Sequence, residues 1–160
     1  MTASQRGLPL LVLLCAVAAS TACTGQRPKV RVEPPANRSG AAIVRTAQAF
    51  VGTPYRMGGA DPRGFDCSGF VYYVFAQHDI VVPRNVSRQW KVGREVSRQS
   101  VRAGDLLFFA TSGRSVTHVT IALDRSRFVH APSSRGVVRV ESLSSSYWAP
   151  RFVGARRVAP

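Results

Sequence analysis

Residues 65 to 78 have the sequence FDCSGFVYYVFAQH, an apolar segment that opens with a phenylalanine, an aspartate and a cysteine. Asp66 opens the apolar stretch, and Phe65 before it is placed to pack back on the first turn. The apolar run that follows is long enough for a buried helix. The segment therefore predicts a buried helix with Cys67 in its first turn.

The residues before this helix predict a second helix and then a loop. Residues 41 to 51 (AAIVRTAQAFV) place apolar side chains at helical spacing, and Gly52 follows as a stop signal. Residues 53 to 65 (TPYRMGGADPRGF) are rich in Gly and Pro, which predicts a loop. After the cysteine helix, Pro83 prevents any extension, and we expect a short helix over residues 86 to 91.

The second half of the chain predicts strands instead of helices. Short runs rich in Val, Leu and Phe are separated by Gly, Ser and Asp. The runs cover residues 106 to 110, 119 to 123, 127 to 130, 137 to 140 and 152 to 158. Helices followed by consecutive strands predict an α+β fold with a small, mostly antiparallel sheet.

The N-terminus has the pattern of an export signal. Arg6 precedes an apolar run over residues 8 to 19, which is shorter than the about 20 apolar residues of a membrane span. Small residues then lead to Cys23, as in a bacterial lipoprotein signal, where that cysteine is lipidated and holds the protein to a membrane surface. We predict a lipoprotein-type signal peptide at residues 1 to 22. The alternative is ordinary cleavage after Ala22, which gives a soluble exported protein.

A polar segment separates this signal from the folded part. Residues 23 to 40 contain three prolines and no apolar face, which predicts a tether. Residues 41 to 160 have the length of one domain with one core. Thr24 after the cysteine suits delivery to the outer membrane, so we expect the protein to lie on the periplasmic face of that membrane. A soluble periplasmic or secreted protein is the alternative.

The charge of the chain is strongly basic. Its net charge is +14, from 22 Lys and Arg against 8 Asp and Glu, and Lys29 and Lys91 are the only lysines. Such a balance favours an anionic partner. The basic residues are scattered, and they lack the interleaved aromatic residues of a nucleic-acid surface. We therefore predict no nucleic-acid partner.

Cys67 is the candidate nucleophile. Free N–H groups and the dipole at a helix start stabilise a thiolate and lower the pKa of a thiol. The same N–H groups are placed to hold an oxyanion when an acyl carbon becomes tetrahedral. Gly69 places no side chain on the first turn, so that a chain-like substrate can approach the helix start closely. The alternative is a buried, inert cysteine.

Two histidines strengthen the catalytic interpretation. His118 opens one predicted strand and His130 closes the next, 12 residues later. In an antiparallel pair these two positions meet at one edge of the sheet, and the cysteine helix can reach the same edge. His118 would then take the thiol proton, and His130 would orient the His118 ring. Alternatively, both histidines are surface residues at strand ends. His78, at the end of the cysteine helix, is expected to be a cap or surface residue.

Zinc is the competing use of one cysteine and two histidines. His118 lies 51 positions after Cys67, and His130 lies 12 positions after His118. These separations do not match the close-paired ligands of structural zinc sites. We predict neither a metal nor another cofactor.

Six stretches of the sequence resemble the NlpC family of papain-like cell-wall cysteine peptidases. They follow the family's order and lie within residues 41 to 158. The stretches are GTPYRMGG (52 to 59), FDCSGFV (65 to 71), PRNVSRQ (83 to 89), AGDLLFF (103 to 109), HVTIAL (118 to 123) and FVHAPSSRGVVRV (128 to 140).

The resemblance implies a papain-like fold and the activity of a cysteine endopeptidase on peptidoglycan. The nucleophile, base and orienting residue would be Cys67, His118 and His130. Tyr55 would line the site near the oxyanion. The positions that shape the substrate groove would be Asp66 and Ser68. The peptide stem of peptidoglycan would be the partner. The oligomeric state is open, and a monomer is the default expectation.

Several alternatives remain open. The same fold also suits a non-catalytic wall-binding lipoprotein. A thioester on Cys67 can pass to water or to an amine, so an amidase or an acyltransferase would use the same residues. The bond cut is also open, between a D,D cross-link and a D,L bond within the stem.

Overall fold

The computed structural model describes Met1 and residues 36 to 160. The chain divides into two units, Met1–Arg31 and Val32–Pro160, and every described helix and strand lies in the second. The predicted signal peptide and Cys23 lie outside the described residues, as does most of the predicted tether. None of the described helices is long and apolar enough to cross a membrane.

Three α-helices form in the first half of the described chain, as the sequence predicts. They are α1 (Gly40–Gln48), α2 (Cys67–Ala76) and α3 (Val86–Gln89). Each begins at a polar residue whose side chain accepts a backbone N–H of the first turn: Ser39, Asp66 and Asn85. A 3-10 turn, Ala36–Arg38, precedes α1 and falls within the predicted tether.

The segment predicted as a loop before α2 contains two short strands, which corrects that expectation. β1 (Ala60–Asp61) pairs antiparallel with β2 (Gly64–Phe65). The Asp61 carboxylate accepts the backbone N–H of Arg63 at 2.9 Å and closes the turn. Strands of two residues are too short to show an alternation of polar and apolar side chains, so the sequence gives no signal for them.

A six-stranded antiparallel sheet occupies the second half, and its order is β3-β8-β4-β5-β6-β7. The α+β prediction is therefore confirmed. The strands are β3 (Arg94–Val96), β4 (Leu106–Phe109), β5 (His118–Ala122), β6 (Arg127–His130), β7 (Arg139–Ser142) and β8 (Phe152–Arg157). β3 was not predicted, because it is a short edge strand with two exposed charged residues, Arg94 and Glu95.

The two faces of the sheet bury two hydrophobic clusters. Along β4, Leu106 and Phe108 join the cluster on the helix side, whereas Leu107 and Phe109 join the cluster on the other face. This alternation follows from the two-residue period of a strand, and it makes β4 buried on both sides. Helix α2 packs on β5, which brings the start of the helix toward that strand.

A tight turn joins β5 to β6. The Asp124 carboxylate accepts the backbone N–H groups of Ser126 and Arg127, each at 2.8 Å. The register pairs Ile121 with Val129. This register places the first residue of β5 and the last residue of β6 at the same end of the pair, as the sequence predicts.

Candidate active site

Cys67 is the first residue of α2, and two contacts fix this start. The Asp66 carboxylate accepts the backbone N–H of Gly69 at 2.7 Å. Phe65 packs against Phe70 with ring centroids 5.5 Å apart, which is the hydrophobic staple that the sequence predicts. The Cys67 side chain is partly buried, and it is the free cysteine of the described residues.

Arg84 completes the support of this helix start. Its guanidinium lies 2.9 Å and 2.7 Å from the two carboxylate oxygens of Asp66. It also donates to Ser68 Oγ at 2.9 Å and to the Gly59 carbonyl at 3.2 Å. Sequence reasoning missed this residue. A partly buried aspartate signals that some cation must face it, but a chain with so many arginines does not indicate which one.

Electrostatics around the Cys67 thiol differ from the sequence-based expectation. Burial, followed by the negative charge of Asp66, raises the pKa of the Cys67 thiol. Backbone N–H groups of Val119, Ser68 and Cys67 oppose this rise without cancelling it. The expected net lowering of the thiol pKa at the helix start is therefore wrong, because desolvation outweighs the helix N–H groups. The Val119 contact also places the sulfur beside β5, one residue after His118.

The structure brings the two predicted site histidines together. His118 Nε2 lies 2.8 Å from His130 Nδ1, and both rings are buried. Burial lowers the pKa of His118 to about 4. Burial, His118 and Arg139 lower the pKa of His130 as well. Both rings are therefore neutral near pH 7, and Nδ1 is the His118 nitrogen that His130 does not occupy.

An aromatic residue that sequence reasoning missed covers this pair. The Trp148 ring stacks on His118 with centroids 5.4 Å apart and meets His130 edge-on at 5.1 Å. A cavity of 210 Å³ borders His118, and Pro132, Tyr147 and Trp148 are among its lining residues. Trp148 lies in a Ser-rich segment between the strands predicted at residues 137 to 140 and 152 to 158, and this segment carries no periodic signal.

The remaining predicted site residues lie around the start of α2. Burial and the charges of Cys67 and Asp66 raise the pKa of the Tyr55 hydroxyl, so this ring lies close to both groups. Ser68 is buried and donates to the Asp66 carboxylate at 3.1 Å. Cys23 lies outside the described residues. Within residues 36 to 160, no group of three or more His, Cys, Asp or Glu side chains could hold a metal ion.

His78 is not part of this site, nor is it a surface residue. Its side chain is buried, with Nε2 2.9 Å from Thr46 Oγ1 and Nδ1 in contact with the Asn37 carbonyl. These two bonds tie the end of α2 to α1 and to the turn before α1. The expectation of a cap or surface residue was wrong, because the ring bonds to Asn37 and Thr46 and not to the end of α2. A helix end in the sequence does not reveal which element covers it.

Comparison with known proteins identifies the family. The model of the NlpC/P60 family matches residues 52–157. This chain belongs to the NlpC/P60 family. Its fold is papain-like and agrees with the crystal structure of an NlpC/P60 family protein from Bacillus cereus ATCC 10987. The TM-score is 0.72 at 32% identity, over 76% of this chain and 41% of that one.

Two named NlpC/P60 relatives are hydrolases. The gamma-DL-glutamyl hydrolase of Bacillus subtilis (strain 168) is 38% identical over 128 residues, covering 78% of this chain and 31% of that protein. The murein DD-endopeptidase MepS/murein LD-carboxypeptidase of Escherichia coli (strain K12) is 42% identical over 108 residues, covering 67% of this chain and 56% of that protein. The chain thus spans a third to a half of these relatives' lengths.

Proposed function

We propose that this chain is a cysteine endopeptidase that hydrolyses peptide bonds in the stem peptides or cross-links of peptidoglycan. The observation that carries the proposal is the placement of Cys67 at a helix start beside β5, where His118 is bonded to His130 at 2.8 Å. Membership of a family that includes a murein endopeptidase supports the same reaction and substrate.

In the proposed reaction, Nδ1 of His118 accepts the proton of the Cys67 thiol while the sulfur attacks the carbonyl carbon of the scissile bond. The tetrahedral oxyanion is held by N–H groups at the start of α2 and by the Tyr55 hydroxyl. The C–N bond then breaks, and His118 returns the proton to the leaving amine. Water hydrolyses the remaining thioester with His118 as base, which releases the acid and restores the thiol.

The burial of both reacting groups sets the order of these proton transfers. Burial disfavours charge on the thiol and on His118 alike. These shifts favour a neutral thiol and a neutral imidazole in the resting enzyme over a preformed ion pair. Proton transfer accompanies attack on the substrate, when the developing oxyanion compensates the charge on the imidazolium.

The N-terminal segment supports a proposal on location. We infer that residues 1 to 22 direct export and that Cys23 carries lipid, so that residues 23 to 40 tether the catalytic domain of residues 41 to 160 to a membrane. The periplasmic face of the outer membrane is the proposed site. Membrane fractionation of the wild type and Cys23→Ala tests this, because the variant should move to the soluble fraction. A variant that stays with the membrane contradicts lipid attachment at Cys23.

The decisive experiment on function is digestion of purified muropeptides, with the masses of the products measured. The wild type should release peptides, Cys67→Ala should not, and Ser112→Ala, at an exposed position, should match the wild type. Release of peptides by Cys67→Ala at the wild-type rate contradicts the proposal. If no variant releases peptides while the protein still binds sacculi, the wall-binding alternative is correct. Transfer of the acyl group to an added amine identifies an acyltransferase.

Product masses also decide which bond is cut. One relative is named for a gamma-DL-glutamyl bond and the other for both a DD bond and an LD bond, so family membership alone leaves the choice open. A new amine on the side chain of the diamino acid means cleavage of a cross-link. A shortened stem without that amine means cleavage of a D,L bond within the stem.

A further inference from the structure

Glu141 on β7 lies behind the histidine pair. Its Oε1 is 3.8 Å from His130 Nε2 and 3.0 Å from Arg139 Nε. Its Oε2 accepts a hydrogen bond from Trp148 Nε1, and the Trp148 ring in turn stacks on His118. A carboxylate with these contacts is held in place, and it faces the nitrogen of His130 that His118 does not use.

That nitrogen has no hydrogen-bond partner in the described part of the chain. His130 is fully buried, and among the described residues its Nε2 lacks a hydrogen-bond partner. A separation of 3.8 Å is too long for a direct hydrogen bond. It is short enough for a charge to act strongly on a ring nitrogen, since screening is weak in a buried site. The negative charge of Glu141 attracts a hydrogen on Nε2 and repels a lone pair there. It therefore stabilises the His130 tautomer that carries its hydrogen on Nε2.

The hydrogen-bonded pair has two neutral arrangements, and only one suits catalysis. With its hydrogen on Nε2, His130 accepts at Nδ1 a bond from Nε2–H of His118, and Nδ1 of His118 carries a free lone pair. With its hydrogen on Nδ1, His130 donates to Nε2 of His118, and the His118 hydrogen then sits on Nδ1. In the second arrangement His118 cannot accept the thiol proton at Nδ1.

We propose that Glu141 is a positioning residue whose carboxylate holds His130 in the Nε2–H tautomer and thereby keeps Nδ1 of His118 free as the base. The inference rests on the proposed function, because it gives Glu141 a task in the same reaction. The charged and titratable groups near the His130 ring are His118, Arg139 and Glu141. The Arg139 cation neutralises Glu141 only in part, and the carboxylate oxygen that faces His130 Nε2 still attracts a hydrogen on that nitrogen.

The test is the tautomer state of the two rings, measured by ¹⁵N NMR on histidine-labelled protein near neutral pH. In the wild type, Nδ1 of both His118 and His130 should show the shift of an unprotonated nitrogen. In Glu141→Gln the amide can donate to His130 Nε2, so both rings should move toward the opposite tautomer. Glu141→Asp retains the charge and should stay closer to the wild type. Glu95→Gln, an exposed glutamate on the opposite edge strand, is the matched control and should change nothing.

Kinetics on muropeptides supply the second measurement. Glu141→Gln should lower kcat at least about tenfold with little change in KM, because the substrate still binds but the base is in the wrong tautomer. A wild type with a protonated His118 Nδ1 overturns the inference, and so does a Glu141→Gln variant with unchanged tautomers and kcat. If that variant does not fold, the wild-type spectrum decides alone. The spectra need no substrate, so they test Glu141 even if the protein fails to cleave muropeptides.

Discussion

The Arg84 guanidinium donates a hydrogen bond to each carboxylate oxygen of Asp66, the residue that caps the helix of the candidate nucleophile. Burial raises the pKa of Asp66, but the Arg84 guanidinium and the Gly69 N–H outweigh it, and the carboxyl pKa is lowered on balance. The same guanidinium reaches the Gly59 carbonyl and Ser68 Oγ. One arginine thus joins α2 to the loop before it.

Replacing Arg84 with methionine tests this connection. We expect Arg84→Met to reduce the free energy of unfolding by about 1 kcal/mol, since the ion pair is partly exposed and solvent screens it. The rate of muropeptide hydrolysis should also fall, by more than the loss of folded protein explains, because the start of α2 loses its fixed position. Urea unfolding and product release measure the two effects. Arg88→Met, an exposed arginine on α3, is the control. Equal activity in the two variants would show that Arg84 does not position the site.

The raised thiol pKa predicts how Cys67 reacts with iodoacetamide. Only the thiolate reacts, so the rate at Cys67 should rise about tenfold per pH unit from about pH 6 to about pH 8. A resting thiolate–imidazolium pair would instead give a rate that is flat over this range. The measurement is mass spectrometry of the Cys67 peptide after timed alkylation. Cys67→Ala with Ser112→Cys supplies an exposed thiol for comparison, and it should react faster at every pH.

The buried histidines predict a loss of stability in mild acid. The pKa of His118 falls from 6.5 to about 4 on folding. Above pH 6.5 the ring is neutral in both states and contributes no pH dependence. As the pH falls toward 4, the unfolded chain binds a proton that the folded chain excludes, which costs about 3 kcal/mol of stability. His130 acts in the same direction, because its pKa is also lowered.

Urea unfolding of the wild type and His118→Asn at several pH values between about 7.5 and about 4.5 measures this effect. The quantity to compare is the slope of the free energy of unfolding against pH, because the substitution also changes packing and so shifts the whole curve. The wild-type curve should fall more steeply with decreasing pH than the variant curve. Parallel curves would mean that His118 is already protonated, or exposed, in the folded state.

Much of this arrangement could be predicted because it depends on local patterns. The Phe65–Phe70 staple follows from residue types at fixed positions around a helix start. The meeting of His118 and His130 follows from their places in two adjacent strands. In both cases the separation along the chain is short, and one element or one hairpin fixes the geometry.

The rest depends on contacts and burial that sequence patterns do not encode. Arg84 reaches Asp66 from 18 residues away, and many other arginines were equal candidates. Glu141 is only 11 positions after His130, but a connection of eight residues joins their strands, so the sequence does not show the register that brings Glu141 to His130. The pKa of Cys67 was predicted in the wrong direction for the same reason, since the helix start is visible in the sequence and its burial is not.

Gly69 gives a last prediction, in which packing reverses helix propensity. In a helix, alanine is favoured over glycine by about 1 kcal/mol. At Gly69, however, an added Cβ would lie 1.9 Å from the Gly59 carbonyl oxygen, a backbone atom that cannot move aside alone. The space above this turn is thus filled by the chain itself, which corrects the expectation that Gly69 leaves room for substrate.

We therefore expect Gly69→Ala to destabilise the protein by about 1 to 3 kcal/mol, as overpacking of a filled site does. Ala76→Gly, at an exposed position of the same helix, should also destabilise, by about 1 kcal/mol, because there only propensity acts. Thermal unfolding of both variants tests the pair. A Gly69→Ala protein as stable as the wild type would mean that α2 and the Gly59 loop can separate without cost. The tight approach that sets Cys67 in place would then not be required by the fold.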